Sequence, residues 1–134
     1  VWISRRAFCL RLELVEGLFY FANVYPKMRL LFLCSRNHWR SPTAEAVYRD
    51  DPRVEVSSAG VSSAARRRVT EKLLLWADLI LVMEHWQKKR LRDEFNEIYP
   101  DLNVAVLDIP DDYEFMDPAL IELIRERVEP LIRD

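Results

Sequence analysis

The sequence predicts a three-layer α/β domain in which a parallel sheet of four strands is covered by helices on both faces. Three observations carry that expectation. The runs MRLLFL, DLILVM and NVAVLDI are almost unbroken by polar residues, as expected of strands buried on both faces rather than on one. The pairs Ser41-Pro42 and Asp117-Pro118 combine a capping side chain with a proline, the signal that opens a helix. Strand and helix signals alternate along the chain, the order that builds a parallel sheet whose ligands gather at the carboxyl ends of the strands.

Taken in order, MRLLFL from Met28 is the first strand and ends abruptly at CSRNHWRS. SPTAEAVYRDD follows as a helix with Ser41 as N-cap, Pro42 in its first turn and Ala44, Val47 and Tyr48 on one apolar face. VEVSS reads as the second strand, closed by a turn at Ala59-Gly60, and VTEKLLLWA as a short helix. DLILVM is the third strand, EHWQKKRLRDEF a solvated helix and NVAVLDI the fourth strand. IPDDYEFM is a loop, and DPALIELIRERVEPLI closes the chain as a helix capped by Asp117. There is no internal repeat and the chain holds only 2 glycines, so nothing divides this regular part.

Residues 1–27 have a different texture, with apolar residues interleaved among Arg5, Arg6, Arg11, Glu13 and Glu16. Residues 10–22 fit an amphipathic helix. An equally good reading starts the native protein at Met28, which divides the chain into an extension, 1–27, and a domain, 28–134. The extension holds no apolar run of membrane-spanning length and lacks the ordered regions of a signal peptide, so neither a membrane nor export is expected.

At 134 residues the chain suffices for one core. Half of it is hydrophobic, which excludes a disordered tail. Its 20 Lys and Arg against 22 Asp and Glu leave a formal net charge of -2, so no global field draws it to nucleic acid or to an anionic membrane. Anion recognition must be local. Cys9 and Cys34 form no CxxC pair, and His38 and His85 are isolated, which argues against a disulfide framework and a zinc site. A lone thiol suits a reducing cytoplasm.

That local site is Cys34-Ser35-Arg36-Asn37-His38-Trp39-Arg40-Ser41, lying between a strand and a helix start. Amides of residues 35–40 curling into a helix N-terminus make a cradle for a tetrahedral dianion. Arg40 adds a planar fork that grips two oxygens. The same field, with a hydroxyl from Ser41, stabilises Cys34 as a thiolate nucleophile. Asn37 tolerates the left-handed backbone that so tight a loop requires. A proton donor is expected on a second strand-end loop, where IPDDY supplies Asp111 and Asp112; Asp108 lies nearer the strand end and Asp117 is explained by capping.

Together LLFLCSRNHWRSPTAEAVYR, VSSAG, DLILVME and IPDDY, in that order, resemble the low-molecular-weight protein tyrosine phosphatase family. The resemblance implies a metal-free reaction without cofactor. Cys34 forms a phosphocysteine, Arg40 holds the phosphoryl oxygens, and Asp111 first protonates the leaving group and then activates water. It implies a binding surface drawn from Ser35, Arg36, Asn37, His38, Trp39, Ser41, Asp112 and Tyr113, with Tyr113 lining an aromatic cleft. The implied partner is a phosphotyrosine protein or a small aryl phosphate. Three departures stand out. Asp112 occupies the usual proline position after the acid, Trp39 replaces the loop's customary second cysteine, and residues 61–77, 17 in all, are shorter than the family's middle segment. Two other readings remain open: a non-catalytic phosphate- or phosphotyrosine-binding module, and an arsenate reductase, for which Cys9 is the one available resolving thiol. Arg66-Arg67-Arg68 and the cluster Lys88, Lys89, Arg90 and Arg92 read as solvated charge. Trp39 and Trp86 either flank a cleft or pack on the sheet.

Overall fold

The computed structural model describes residues 27–132, together with the backbone of two short strands before them, β1 (Arg11–Val15) and β2 (Leu18–Ala22). These two pair antiparallel, Val15 opposite Leu18 and Arg11 opposite Ala22. The helix expected over residues 10–22 is therefore corrected. Arg11, Leu12, Glu13 and Leu14 alternate with a period of two, and LFYFA is rich in aromatic residues, both of which favour extended chain.

Four further strands form one parallel sheet. β3 (Met28–Cys34) runs down its middle between β4 (Val54–Gly60) and β5 (Leu79–Val82), and β6 (Val104–Val106) lies outside β5. The sequence order β3, β4, β5, β6 becomes the spatial order β4-β3-β5-β6. The chain thus leaves β3 to one side, then crosses back to the other. This reversal opens a crevice at the carboxyl end of β3, where Cys34 is the last strand residue.

The apolar run of β3 divides into two cores because successive side chains face opposite ways. Leu30, Phe32 and Cys34 join Ala44 and Tyr48 of α1 (Arg40–Tyr48) and Leu120, Ile124 and Val128 of α4 (Pro118–Val128). Leu31 and Leu33 join Leu74 of α2 (Glu71–Trp76) and Leu91 of α3 (His85–Glu94). The α4 trio recurs every four residues and is fully buried, each side chain contributing about 1.5–3 kcal/mol of transfer energy. Cys34 is thereby aimed to the α1 and α4 side.

Several boundaries differ from the sequence reading. Helix α1 begins at Arg40 with Trp39 as N-cap and no side-chain cap, so Ser41 lies inside the first turn. β4 runs through Ala59 to Gly60, which pairs with Cys34, and no turn breaks it there. β6 is confined to Val104–Val106, although Leu107 and Ile109 continue toward β5 through amides donating to Val82 O at 2.8 Å and Met83 O at 2.9 Å. The cap of α4 follows expectation, with Asp117 accepting from Ala119 N at 2.9 Å, and α2 is capped by Thr70, which accepts from Leu73 N at 3.2 Å. Among the described residues no helix is long and apolar enough to cross a membrane.

Candidate active site

The loop from Ser35 to Trp39 reverses the chain between β3 and α1. Asn37 takes the left-handed conformation, with φ of 55°, at the position where the sequence predicts it. The loop's carbonyls are drawn outward by the strand-to-helix connection that follows β4. Val61 N donates to Cys34 O at 3.0 Å, Ser62 N to Ser35 O at 2.8 Å, and Arg66 N to Arg36 O at 3.0 Å. Among the described residues the backbone N–H groups of Ser35 to Trp39 donate to no other protein group. Carbonyls held out and amides left over make an anion nest, continued by the free amides at the start of α1.

Beneath the nest lies a buried polar chain. Cys34 Sγ is 2.9 Å from Ser41 Oγ, and Asn37 Nδ2 donates to Ser41 Oγ and to Ser58 Oγ, each at 3.0 Å. Ser58 Oγ in turn donates to Glu45 Oε1 at 2.6 Å. Because Ser41 Oγ already accepts from Asn37, its hydrogen is directed at Ala59 O, 3.3 Å away, or at the sulfur. With sulfur ionised, only the second choice leaves the thiolate with a donor. The side chains of Cys34, Asn37, Arg40 and Ser41 are all buried.

Arg40 is fixed from two other strand ends. Its Nη1 donates to Glu84 Oε1 at 2.6 Å and to Ile109 O at 2.9 Å, while Nε lies 3.4 Å from Asp111 Oδ1. Glu84 follows β5 as the N-cap of α3, its amide donating to Gln87 Oε1 at 3.0 Å. The loop carrying Asp111 is braced at both ends. Arg127 Nη1 donates to Leu107 O at 2.6 Å, and Met116 N donates to Thr43 Oγ1 at 2.9 Å. Thr43 in turn donates to Trp39 O at 2.7 Å, so α1 ties this loop to the nest.

Cys34, Ser35, Arg36, His38, Trp39, Arg40 and Asp111 line one depression of about 150 Å³. Asn37 and Ser41 lie behind it. Asp111 is well exposed, with a side-chain exposure of 61% that leaves it open to water and to a bound group. Asp112 is exposed too but is not among the lining residues. Tyr113 packs against the core that includes Tyr48 and Leu120, and it is likewise not among them. Cys9 falls outside the described residues.

Sequence reasoning missed Glu84, Thr43, Ser58, Glu45 and Arg66. Glu84 alone left a signal, since it follows an apolar strand as Cys34 nearly does. The arginine run is not merely solvated: Arg66 holds the loop, Arg67 Nη1 donates to Ser57 Oγ at 3.0 Å, and Arg68 Nη2 donates to Glu94 Oε2 at 2.6 Å. Lys89 and Arg90 form exposed i,i+4 pairs with Asp93 and Glu94, as a solvated helix face should. Among the described residues no group of three or more His, Cys, Asp or Glu side chains is gathered as a metal site.

No protein-family model matches the chain, and no curated protein sequence does. Solved structures match well. A YwlE mutant from Bacillus subtilis is 26% identical with a TM-score of 0.58, over 78% of this chain and 99% of that one. YwlE arginine phosphatase from Geobacillus stearothermophilus is 27% identical with a TM-score of 0.53, over 78% and 85%. The tyrosine phosphatase Wzb from Escherichia coli K30, solved with phosphate, is 22% identical with a TM-score of 0.63, over 78% and 96%. The chain has the fold of the low-molecular-weight protein tyrosine phosphatases, and its structural neighbours are tyrosine and arginine phosphatases.

Proposed function

We propose that the chain is a cysteine-dependent phosphatase that hydrolyses phosphate monoesters, with protein phosphotyrosine as the substrate class, in the reducing cytoplasm. The observation that carries this reading is the convergence of the Cys34 sulfur, its Ser41 hydroxyl 2.9 Å away, the anchored Arg40 and Asp111 on one phosphate-sized depression. The likeness to solved phosphatases supports it independently.

In the first step the Cys34 thiolate attacks phosphorus in line with the ester oxygen. The S–P bond forms as the P–O bond breaks, and Asp111 gives its proton to the departing oxygen. The phosphoryl oxygens rest on the amides of residues 35–40 and on the edge of Arg40 that Glu84 and Ile109 leave open. In the second step Asp111, now a carboxylate, takes a proton from water as that water attacks phosphocysteine. Inorganic phosphate leaves and the thiolate returns, with Ser41 donating to it. Asp111 is assigned as the acid over Asp112 because it approaches Arg40 and lines the depression. Residues 28–134 form the catalytic unit, and residues 1–27 lie outside it.

The test is hydrolysis of p-nitrophenyl phosphate without added metal. Cys34→Ser abolishes turnover, and Arg40→Ala removes phosphate affinity together with rate. Asp111→Asn lowers kcat by about 10²–10⁴ with esters of poorly departing alcohols and less with p-nitrophenol. A larger loss in Asp112→Asn moves the acid by one residue, and wild type that binds phosphate without turning over the ester sinks the enzymatic reading.

A further inference from the structure

The large aromatic among the residues that line the depression with Cys34 is Trp39. Trp39 is 38% exposed, belongs to neither core, and lines the same depression as Cys34, Arg40 and Asp111. The ring stacks on the exposed His38 with centroids 4.8 Å apart and planes 20° from parallel, and the backbone carbonyl of Trp39 accepts from both the amide and the hydroxyl of Thr43, at 3.0 and 2.7 Å. Leaving an indole on the surface forgoes the burial that large aromatics ordinarily gain. A ring at a site mouth, carried on an anchored backbone, is instead free to meet a ligand. Because Trp39 immediately precedes Arg40, the wall stands at a set distance from the oxygens that Arg40 grips.

Resting on the phosphatase reading above, we infer that Trp39 is the specificity-determining wall of the site and selects planar aryl leaving groups over alkyl ones. The occupant is the ring of a phenolic ester such as phosphotyrosine, laid against the indole while the phosphoryl group enters the nest. A planar phosphoguanidine also fits a flat wall. Charge favours the phenol: of the lining residues Arg36 and Arg40 are cationic and Asp111 anionic, Glu84 behind them offsets only part of the Arg40 charge, and a protonated phenol departs neutral whereas a guanidine departs as a cation. The aromatic surface thus comes from the phosphate loop itself, whose carbonyls are held from behind by the amides of Val61, Ser62 and Arg66.

The experiment measures, on the full chain, the affinities of phenylphosphonate and methylphosphonate and the kcat/KM values of phosphotyrosine, phosphoserine and phosphoarginine peptides of one sequence. Wild type binds phenylphosphonate about 3- to 10-fold more tightly than methylphosphonate, the range of one aromatic contact. Trp39→Ala brings that ratio to about one and erases the preference for phosphotyrosine over phosphoserine, and Trp39→Phe keeps most of both. A fall of both affinities together, with the ratio kept, overturns the inference and makes Trp39 a loop-shaping residue. A preference for the phosphoarginine peptide overturns it as well. If no peptide is hydrolysed but the phosphonate ratio still depends on Trp39, the enzymatic reading fails and the aryl wall stands.

Discussion

Arg66 donates to the Asn37 carbonyl through Nε at 3.2 Å and to Asn37 Oδ1 through Nη2 at 3.3 Å, so one guanidinium holds both oxygens of the residue that turns the phosphate loop. The amide nitrogen of Asn37 then has one orientation, toward Ser41 and Ser58, and Ser41 in turn faces the Cys34 sulfur. These bonds predict that Arg66 acts on the site by positioning Asn37.

Arg66→Met is expected to lower kcat/KM for an aryl phosphate roughly 10-fold, given about 1.5 kcal/mol for a hydrogen bond to a charged group. Arg66→Lys recovers part of this by reaching one oxygen. The decisive measurement is a double-mutant cycle with Asn37→Ala: the Arg66→Met loss shrinks sharply in that background, whereas full additivity shows that Arg66 acts elsewhere. Arg67→Ala and Arg68→Ala, whose partners are Ser57 and Glu94, remain near wild type.

Gly60 is predicted to tolerate no side chain. A Cβ there would lie 2.6 Å from Ala65 Cβ, 2.7 Å from Ser35 O and 2.8 Å from Asn37 N, and two of those atoms are backbone of the nest. Gly60→Ala must push the loop away from β4. Phosphate affinity should fall at least 10-fold, with an unfolding loss in the roughly 1–3 kcal/mol range of overpacking. Wild-type affinity for inorganic phosphate in a folded Gly60→Ala protein contradicts this account.

The same glycine shows how far the sequence could be read. The run from Met28 and its break at Cys34 were legible because a strand buried on both faces needs both parities apolar, and Leu30 to Leu33 supply them. Ala59-Gly60 looked like a turn, since glycine usually marks one. Its reason is instead a close approach between strand and loop, which depends on β3 and β4 being neighbours. Ser-Pro has the local meaning of a cap, but Trp39 takes that position, and the Ser41 hydroxyl lies 2.9 Å from the Cys34 sulfur, the other role that the sequence assigns to it. Arg66 is not legible, since only the sheet order β4-β3-β5-β6 brings its segment to the loop, and Glu84 leaves no more than the signal of following an apolar strand. The resemblance carries residue types and not packing, and Tyr113 is half-buried against the core and is not among the residues that line the depression.

Away from the site, acid should loosen the join between α1 and α4. Arg53 pairs with Asp51 at 2.7 Å and with Glu129 at 3.1 Å, and Glu129 also accepts from Tyr48 Oη at 2.8 Å. The hydrogen bond from Arg53 is the main cause holding Asp51 below the ordinary carboxyl range, and the main cause for Glu129, followed there by Tyr48. The unfolded chain takes up these protons at higher pH than the folded one. The stabilisation is complete above the unfolded values, about 3.9 and 4.3, and is lost as pH falls through the lower folded values. With Glu129 partly exposed and screened, Arg53→Met should cost about 0.5–1 kcal/mol at pH 7 and less at pH 2, by urea unfolding. An equal loss at both pH values removes the ion pairs from the explanation.

Glu84 presents two opposed effects on Arg40 that separate variants can resolve. Its carboxylate orients the guanidinium through the 2.6 Å bond to Nη1, and it also cancels part of the positive charge offered to a phosphate dianion. Glu84→Gln keeps an acceptor in place and removes the charge, so inorganic phosphate should bind a few-fold more tightly while kcat changes little. Glu84→Ala removes the acceptor too and leaves Arg40 held by Ile109 O alone among its anchors at Nη1. There kcat should fall about 10- to 100-fold, because a misplaced fork stabilises the transition state poorly even when it still attracts the dianion. Weaker phosphate binding in Glu84→Gln than in wild type makes orientation the whole of its contribution and sets the charge argument aside.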